Sequence, residues 1–171
     1  MDGEVSKLTY DRQKAVSYAD LWWNKPNPQY IYFGDEDCTN YVSQCLFAGG
    51  VPMQYGRDRN AGWWYRFSSP PSYSYSWAVA HSLKVFLETS ISGVKGVPVE
   101  HPQQLEVGDV ICYDFDGDGR WQHNALVVDF NMKGEPLINT HSYNRTHAHW
   151  ALKDSPAHSV ETKYLFFHLV I

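Results

Sequence analysis

The residues able to do nucleophilic chemistry here are few enough to weigh singly. The chain has three cysteines, Cys38, Cys45 and Cys112. Cys38 stands in the block Asp37-Cys38-Thr39-Asn40-Tyr41-Val42-Ser43-Gln44, where the pattern turns helical: Tyr41, Val42, Cys45, Leu46 and Phe47 form an apolar face and Gly49-Gly50 closes it. Asp37 is a good N-cap, which makes Cys38 the first helical residue; Asp37 is also a candidate substrate contact beside the thiol. Unpaired backbone N–H groups and the positive end of the helix dipole favour the thiolate there, the species that attacks acyl carbons. Such a nucleophile needs a base, and His123 stands at the mouth of an apolar strand, where its ring could aim at a helix terminus packed on the sheet. A third group normally orients the imidazole. On the next strand Asn139 and His141 are two apart and share a face, while Thr140 points the other way. Either Asn139 or His141 could reach His123.

The elements that must hold these groups are legible in outline. Residues 10–23 carry apolar positions 15, 18, 19 and 22 at the helical period, with Thr9 or Asp11 as cap and Pro26 and Pro28 as the stop. Residues 51–75 are broken by Pro52, Gly56, Gly62, Pro70 and Pro71 and predict a long excursion, rich in Trp63, Trp64, Tyr65, Phe67, Tyr73 and Tyr75. With Trp77, these rings either wall a substrate cleft or pin the excursion to the body. Residues 76–88 predict one capped helix with Val79, Leu83, Phe86 and Leu87 inward and His81 on its surface. Four strands follow, at 105–113, 125–130, 136–143 and 164–171. Helices first and a largely antiparallel sheet after them predict an α+β fold, with residues 1–171 as one domain.

Composition narrows the chemistry. The net charge of −5 argues against a nucleic-acid partner, and no apolar run approaches the length of a membrane span. An odd number of cysteines without repeated spacing excludes a disulfide framework. Cys38 and Cys45 lie about 10 Å apart along one helix and cannot bond; Cys45 and Cys112 could meet if that helix packs on the strand carrying Cys112, or stand as free buried thiols. Asp114-Phe115-Asp116-Gly117-Asp118-Gly119 opens like a calcium loop, but its twelfth position is Ala125 where a bidentate Glu is required, so it reads as an acidic hairpin turn. His141, His147 and His149 lack a Cys or Glu at zinc-like spacing, so no metal and no cofactor is expected.

Asp37-Cys38-Thr39-Asn40-Tyr41-Val42-Ser43-Gln44, Gly108-Asp109-Val110-Ile111, Gly117-Asp118-Gly119 before His123, and Thr140-His141-Ser142 with Asn144-Arg145 together resemble the bacterial putative amidase domain family, a branch of the papain-like and NlpC-like cysteine hydrolases. The Tyr10-Asp11-Arg12 start and the Ser76-Trp77 helix are similar as well. The resemblance implies a papain-like core and a hydrolase of peptide or peptidoglycan-like amide bonds at or near the bacterial cell envelope; a monomer is expected. It implies Cys38 as nucleophile and His123 as base, and gives polar residues at both Asn139 and His141. A non-catalytic wall- or glycan-binding module on the same fold, using the aromatics of residues 63–77, is the rival expectation.

Overall fold

A computed structural model of the chain describes residues 9–171. Asp11 caps the first helix, its carboxylate accepting the Lys14 N–H at 3.1 Å, and α1 runs Arg12–Trp22 with Ala15 and Ala19 inward. A 3₁₀ turn, Gly34–Glu36, leads into α2, Cys38–Ala48. Every residue of α2 from Cys38 to Leu46 is buried. It is therefore a central helix, packed on several sides, and not the one-faced element its apolar period suggests. It ends at Gly49 because α1 begins alongside: Asp11 N–H donates to Gly49 O at 2.7 Å, and a Cβ on Gly49 would sit 2.5 Å from a Tyr10 ring carbon. Only glycine allows that approach.

Residues 51–75 are more regular than expected. Two short antiparallel ribbons occupy them, β1 (Gln54–Tyr55) with β2 (Gly62–Trp63), and β3 (Tyr65–Arg66) with β4 (Ser72–Tyr73). The helix expected over 76–88 divides into α3 (Tyr75–Ala78) and α4 (Ala80–Thr89). Val79 between them is extended, at φ −116° and ψ 126°. That break turns Val79 outward and Ala80 inward. Ser76 is no cap; its hydroxyl donates to Gly62 O.

The sheet has six strands: β5 (Lys95–Val99), β6 (Val110–Asp114), β7 (His123–Phe130), β8 (Pro136–Thr140), β9 (Arg145–His149) and β10 (Lys163–Val170). Their order is β5-β10-β6-β7-β8-β9, every neighbour antiparallel. The four expected strands are present, and β5 and β9 are added at the two edges, where a strand needs no continuous apolar face. Alternation divides the side chains cleanly. Val110, Cys112, Leu126, Val128, Phe167 and Leu169 join the core shared with the helices. Ile111, Tyr113, Ala125, Val127, Ile138 and Phe166 form a second cluster on the opposite face, with Leu152. Helices on an antiparallel sheet make the fold α+β, as the sequence predicts.

Arg12 fixes α1 to the sheet. Its guanidinium donates to Asp109 Oδ1 and to Leu169 O, both at 2.7 Å, and the buried Asp109 carboxylate also accepts the backbone N–H groups of Glu106 and Leu169. Among the described residues, no helix is long and apolar enough to cross a membrane.

Candidate active site

Cys38 opens α2 and His123 opens β7, and both line one cleft of about 930 Å³. The thiol and the imidazole are each only 6% exposed. The start of α2 is held against β7 by Asn124, which is fully buried. Thr39 Oγ1 donates to Asn124 Oδ1 at 2.7 Å, and Asn124 Nδ2 donates to Cys112 Sγ at 3.2 Å. One asparagine thus joins the helix that carries Cys38 to two strands.

Burial pushes the Cys38 thiol above its ordinary pKa; the backbone N–H of Asn124 and the Thr39 contacts pull it back, and Asp37 pushes it up again. Burial also lowers His123 to about 4, with the Arg145 guanidinium adding to the shift. Both effects favour uncharged forms. At neutral pH the site holds a thiol and a neutral imidazole.

Asp37 occupies the N-cap position but neither caps α2 nor faces the cleft. Its Oδ1 accepts from Phe33 N at 3.0 Å and from Asn40 Nδ2 at 2.9 Å, and its Oδ2 meets His141 Nδ1 at 2.6 Å. The carboxylate is 1% exposed, which corrects its assignment as a substrate contact. His141 is spoken for as well. Its Nε2 lies 2.6 Å from Trp22 O and its ring stacks on Tyr41 at 4.0 Å. Both ring nitrogens thus lie against oxygens, Asp37 Oδ2 on one side and Trp22 O on the other. This buried pair ties the ends of α1 and α2 together.

Asn139 also faces away from His123. Its Nδ2 donates to Asp20 Oδ1 at 2.8 Å and its Oδ1 accepts from His147 N at 2.9 Å. Neither expected orienter therefore touches the His123 ring. The group that does is Thr140, whose Oγ1 lies 2.9 Å from His123 Nε2. Strand parity holds the reason. Leu126 pairs with Asn139 and Val127 with Ile138, so Asn139 shares the helix-facing side while Thr140 shares the side of Ala125 and His123. Opposite facing of Asn139 and Thr140 follows from strand alternation, but which of the two meets the His123 ring follows from the β7–β8 register, which pairs 125 and 127 with the 138 and 140 face.

The tryptophans named as substrate contacts are core residues. Trp63 and Trp77 are fully buried and Trp64 is 5% exposed. Trp63 Nε1 donates to Ser43 Oγ, Trp77 Nε1 to Asn40 Oδ1 and Trp64 Nε1 to Ala61 O. They pin residues 51–78 to α2 and to one another, which removes the basis of a glycan platform built on them. The aromatic walls of the cleft are instead Phe33, Tyr73, Tyr75, Phe115, Trp121 and Tyr143. His81, expected on an outer helix surface, lines the cleft too, its Nδ1 accepting from Trp121 N at 3.2 Å.

The acidic segment folds as a hairpin turn between β6 and β7. Asp114 Oδ1 accepts from Gly117 N and Oδ2 from Gly119 N, so this carboxylate is committed to the backbone. His147 lies between Asp20 and Asp129 and His149 pairs with Glu135. With His141 on Asp37, the three histidines share no carboxylate partner. Cys45 and Cys112 are free and buried.

A family model described as "putative amidase domain" matches residues 9–164. The chain is 47% identical over 161 residues to the uncharacterized protein YhbB of Bacillus subtilis (strain 168), covering 94% of this chain and 50% of that protein. It is 31% identical over 145 residues to the uncharacterized protein YjcM of the same organism, covering 80% of this chain and 32% of that protein. The chain thus spans half or less of the length of these curated relatives. No solved structure matches it. A match running through the cleft residues from Cys38 to Arg145 shows that this chain belongs to the putative amidase domain family.

Proposed function

We propose that this chain is a cysteine-dependent amide hydrolase in which Cys38 is the nucleophile and His123 the base. The observation that carries the proposal is the opening of the first residue of α2 and the first residue of β7 into one cleft, with a buried asparagine holding helix to strand. We read the helices on an antiparallel sheet as a papain-like core, and the size and mixed lining of the cleft suit a peptide or peptidoglycan-like amide.

Nε2 of His123 faces Thr140, which leaves Nδ1 as the nitrogen that receives a proton. As Cys38 Sγ bonds to the amide carbon, its hydrogen passes to Nδ1 and negative charge develops on the carbonyl oxygen. In this reading the backbone N–H of Cys38, at the first turn of α2, donates to that oxygen. Collapse of the tetrahedral adduct breaks the C–N bond, and the imidazolium gives its proton to the departing amine. Water, deprotonated by Nδ1, then attacks the thioester, releasing the carboxylic acid and the thiol. Because the resting pair is neutral, proton transfer accompanies attack and no stored thiolate is required.

The test uses p-nitrophenyl acetate, a small activated acyl donor. The expected result is a burst of nitrophenol with an acetyl group on Cys38 by peptide mass mapping. Cys38→Ser and His123→Ala each abolish turnover while far-ultraviolet circular dichroism stays that of the parent. Turnover retained in either variant refutes the assignment.

A further inference from the structure

We infer that Thr140 is the positioning residue of this site: its hydroxyl accepts a hydrogen bond from His123 Nε2–H and so keeps the imidazole in the tautomer whose Nδ1 is free to take the Cys38 proton. The inference rests on the hydrolase reading for its catalytic meaning, though not for its geometry.

A threonine hydroxyl has one hydrogen and two lone pairs. Thr140 Oγ1 has three partners within reach: His141 O at 2.8 Å, Asn124 O at 3.1 Å and His123 Nε2 at 2.9 Å. Two of these are carbonyl oxygens, which only accept. The hydroxyl hydrogen belongs to them, so the contact with the ring must run from Nε2–H to Oγ1. The reverse arrangement, with the hydroxyl donating to Nε2, strips both carbonyls of this donor. It also moves the ring hydrogen to Nδ1, making the base a donor. Thr140 is 1% exposed, which keeps water from substituting for any of the three partners.

The ring is held on its other sides by groups that cannot set its tautomer. Tyr113 of β6 and Phe115 of the following turn pack against it with centroids 5.4 and 5.8 Å away. Arg145 of β9 acts on it only as a like charge, and the Cys38 thiol of α2 lines the same cleft. Thr140 is thus the group on the ring's far nitrogen, and it is neutral. A carboxylate there would stabilise the imidazolium strongly, whereas a hydroxyl lends only a dipole. The site is therefore built to keep its base uncharged between turnovers.

The experiment compares the wild-type chain with Thr140→Val, which keeps shape and removes the hydroxyl, and with Thr140→Ser, which keeps the hydroxyl and loses a methyl. Ring ¹⁵N shifts report the tautomer without reference to activity, and the burst rate with p-nitrophenyl acetate across pH reports the base. Expected are the Nε2–H form in wild type, a shift toward Nδ1–H in Thr140→Val with an acylation rate about 100-fold lower, and recovery in Thr140→Ser to within about tenfold. An Nδ1–H ring in the wild type, or a Thr140→Val rate and pH profile equal to wild type, overturns the inference. If Thr140→Val does not fold, the wild-type tautomer and the Thr140→Ser rate still decide. Failure of Cys38→Ser to abolish turnover removes the hydrolase reading but leaves the tautomer measurement standing, so the two failures are told apart.

Discussion

Lowering the pH from 7 to 5 is expected to destabilise this protein by about 2 kcal/mol through His123 alone. Folded His123 titrates at about 4, chiefly because burial removes water from the imidazolium and secondarily because Arg145 repels it. An unfolded histidine titrates near ~6.5. Between those values the unfolded chain binds a proton that the folded chain refuses. Stability is therefore full above about pH 6.5, falls as pH drops toward 4 and levels off below it. The gap is worth roughly 3 kcal/mol over the whole window at about 1.4 kcal/mol per pH unit, of which about 2 falls between pH 7 and 5. The ring is 6% exposed, so solvent screening removes little of this. The assay is urea unfolding followed by tryptophan fluorescence at pH 7 and 5, for wild type and His123→Gln. Glutamine does not titrate, and its amide can still donate to Thr140. The difference between the two proteins' pH-induced losses isolates His123 from the other histidines. Losses equal within about 0.5 kcal/mol would refute the buried, neutral imidazole. For the proposed hydrolase, the same titration puts the acid limb of kcat/KM near pH 4, well below an ordinary histidine's.

Two further outcomes follow from the core around the site. Asp37→Asn leaves the buried His141 ring without its carboxylate and should cost about 3–5 kcal/mol in urea unfolding, with thermal unfolding correspondingly earlier; a loss under about 1 kcal/mol would show that the pair contributes little. Trp77→Ala empties a fully buried indole site and strips Asn40 Oδ1 of its donor, for an expected loss of about 3–5 kcal/mol, and a chain that keeps wild-type stability would contradict its role as anchor of residues 51–78.

Local rules carried the sequence reading a long way. The α1 cap at Asp11, the glycine stop after α2 and the placing of a cysteine at the first turn of α2 all follow from interactions within a few residues, which the chain specifies wherever it folds. The four inner strands were legible because burial on both faces imposes apolar runs. The edge strands β5 and β9 were not, since an edge tolerates Gly96, Pro98, Arg145 and His147. Nor was the break at Val79, where the apolar period of residues 76–88 continues across a backbone that does not.

The composition of the site divides the same way. By itself the sequence determined that Cys38 begins a helix, that His123 begins a strand and that Asn139 and Thr140 point to opposite faces of β8. Only the tertiary structure decided which face meets the imidazole, that the aromatic-rich segment spends its tryptophans on the core, and that Asp37 and His141 pair with each other between two helices. The physical reason is that strand alternation fixes relative facing but not absolute facing. The absolute choice is made when α2 packs on one side of the sheet, and that packing joins residues about a hundred positions apart.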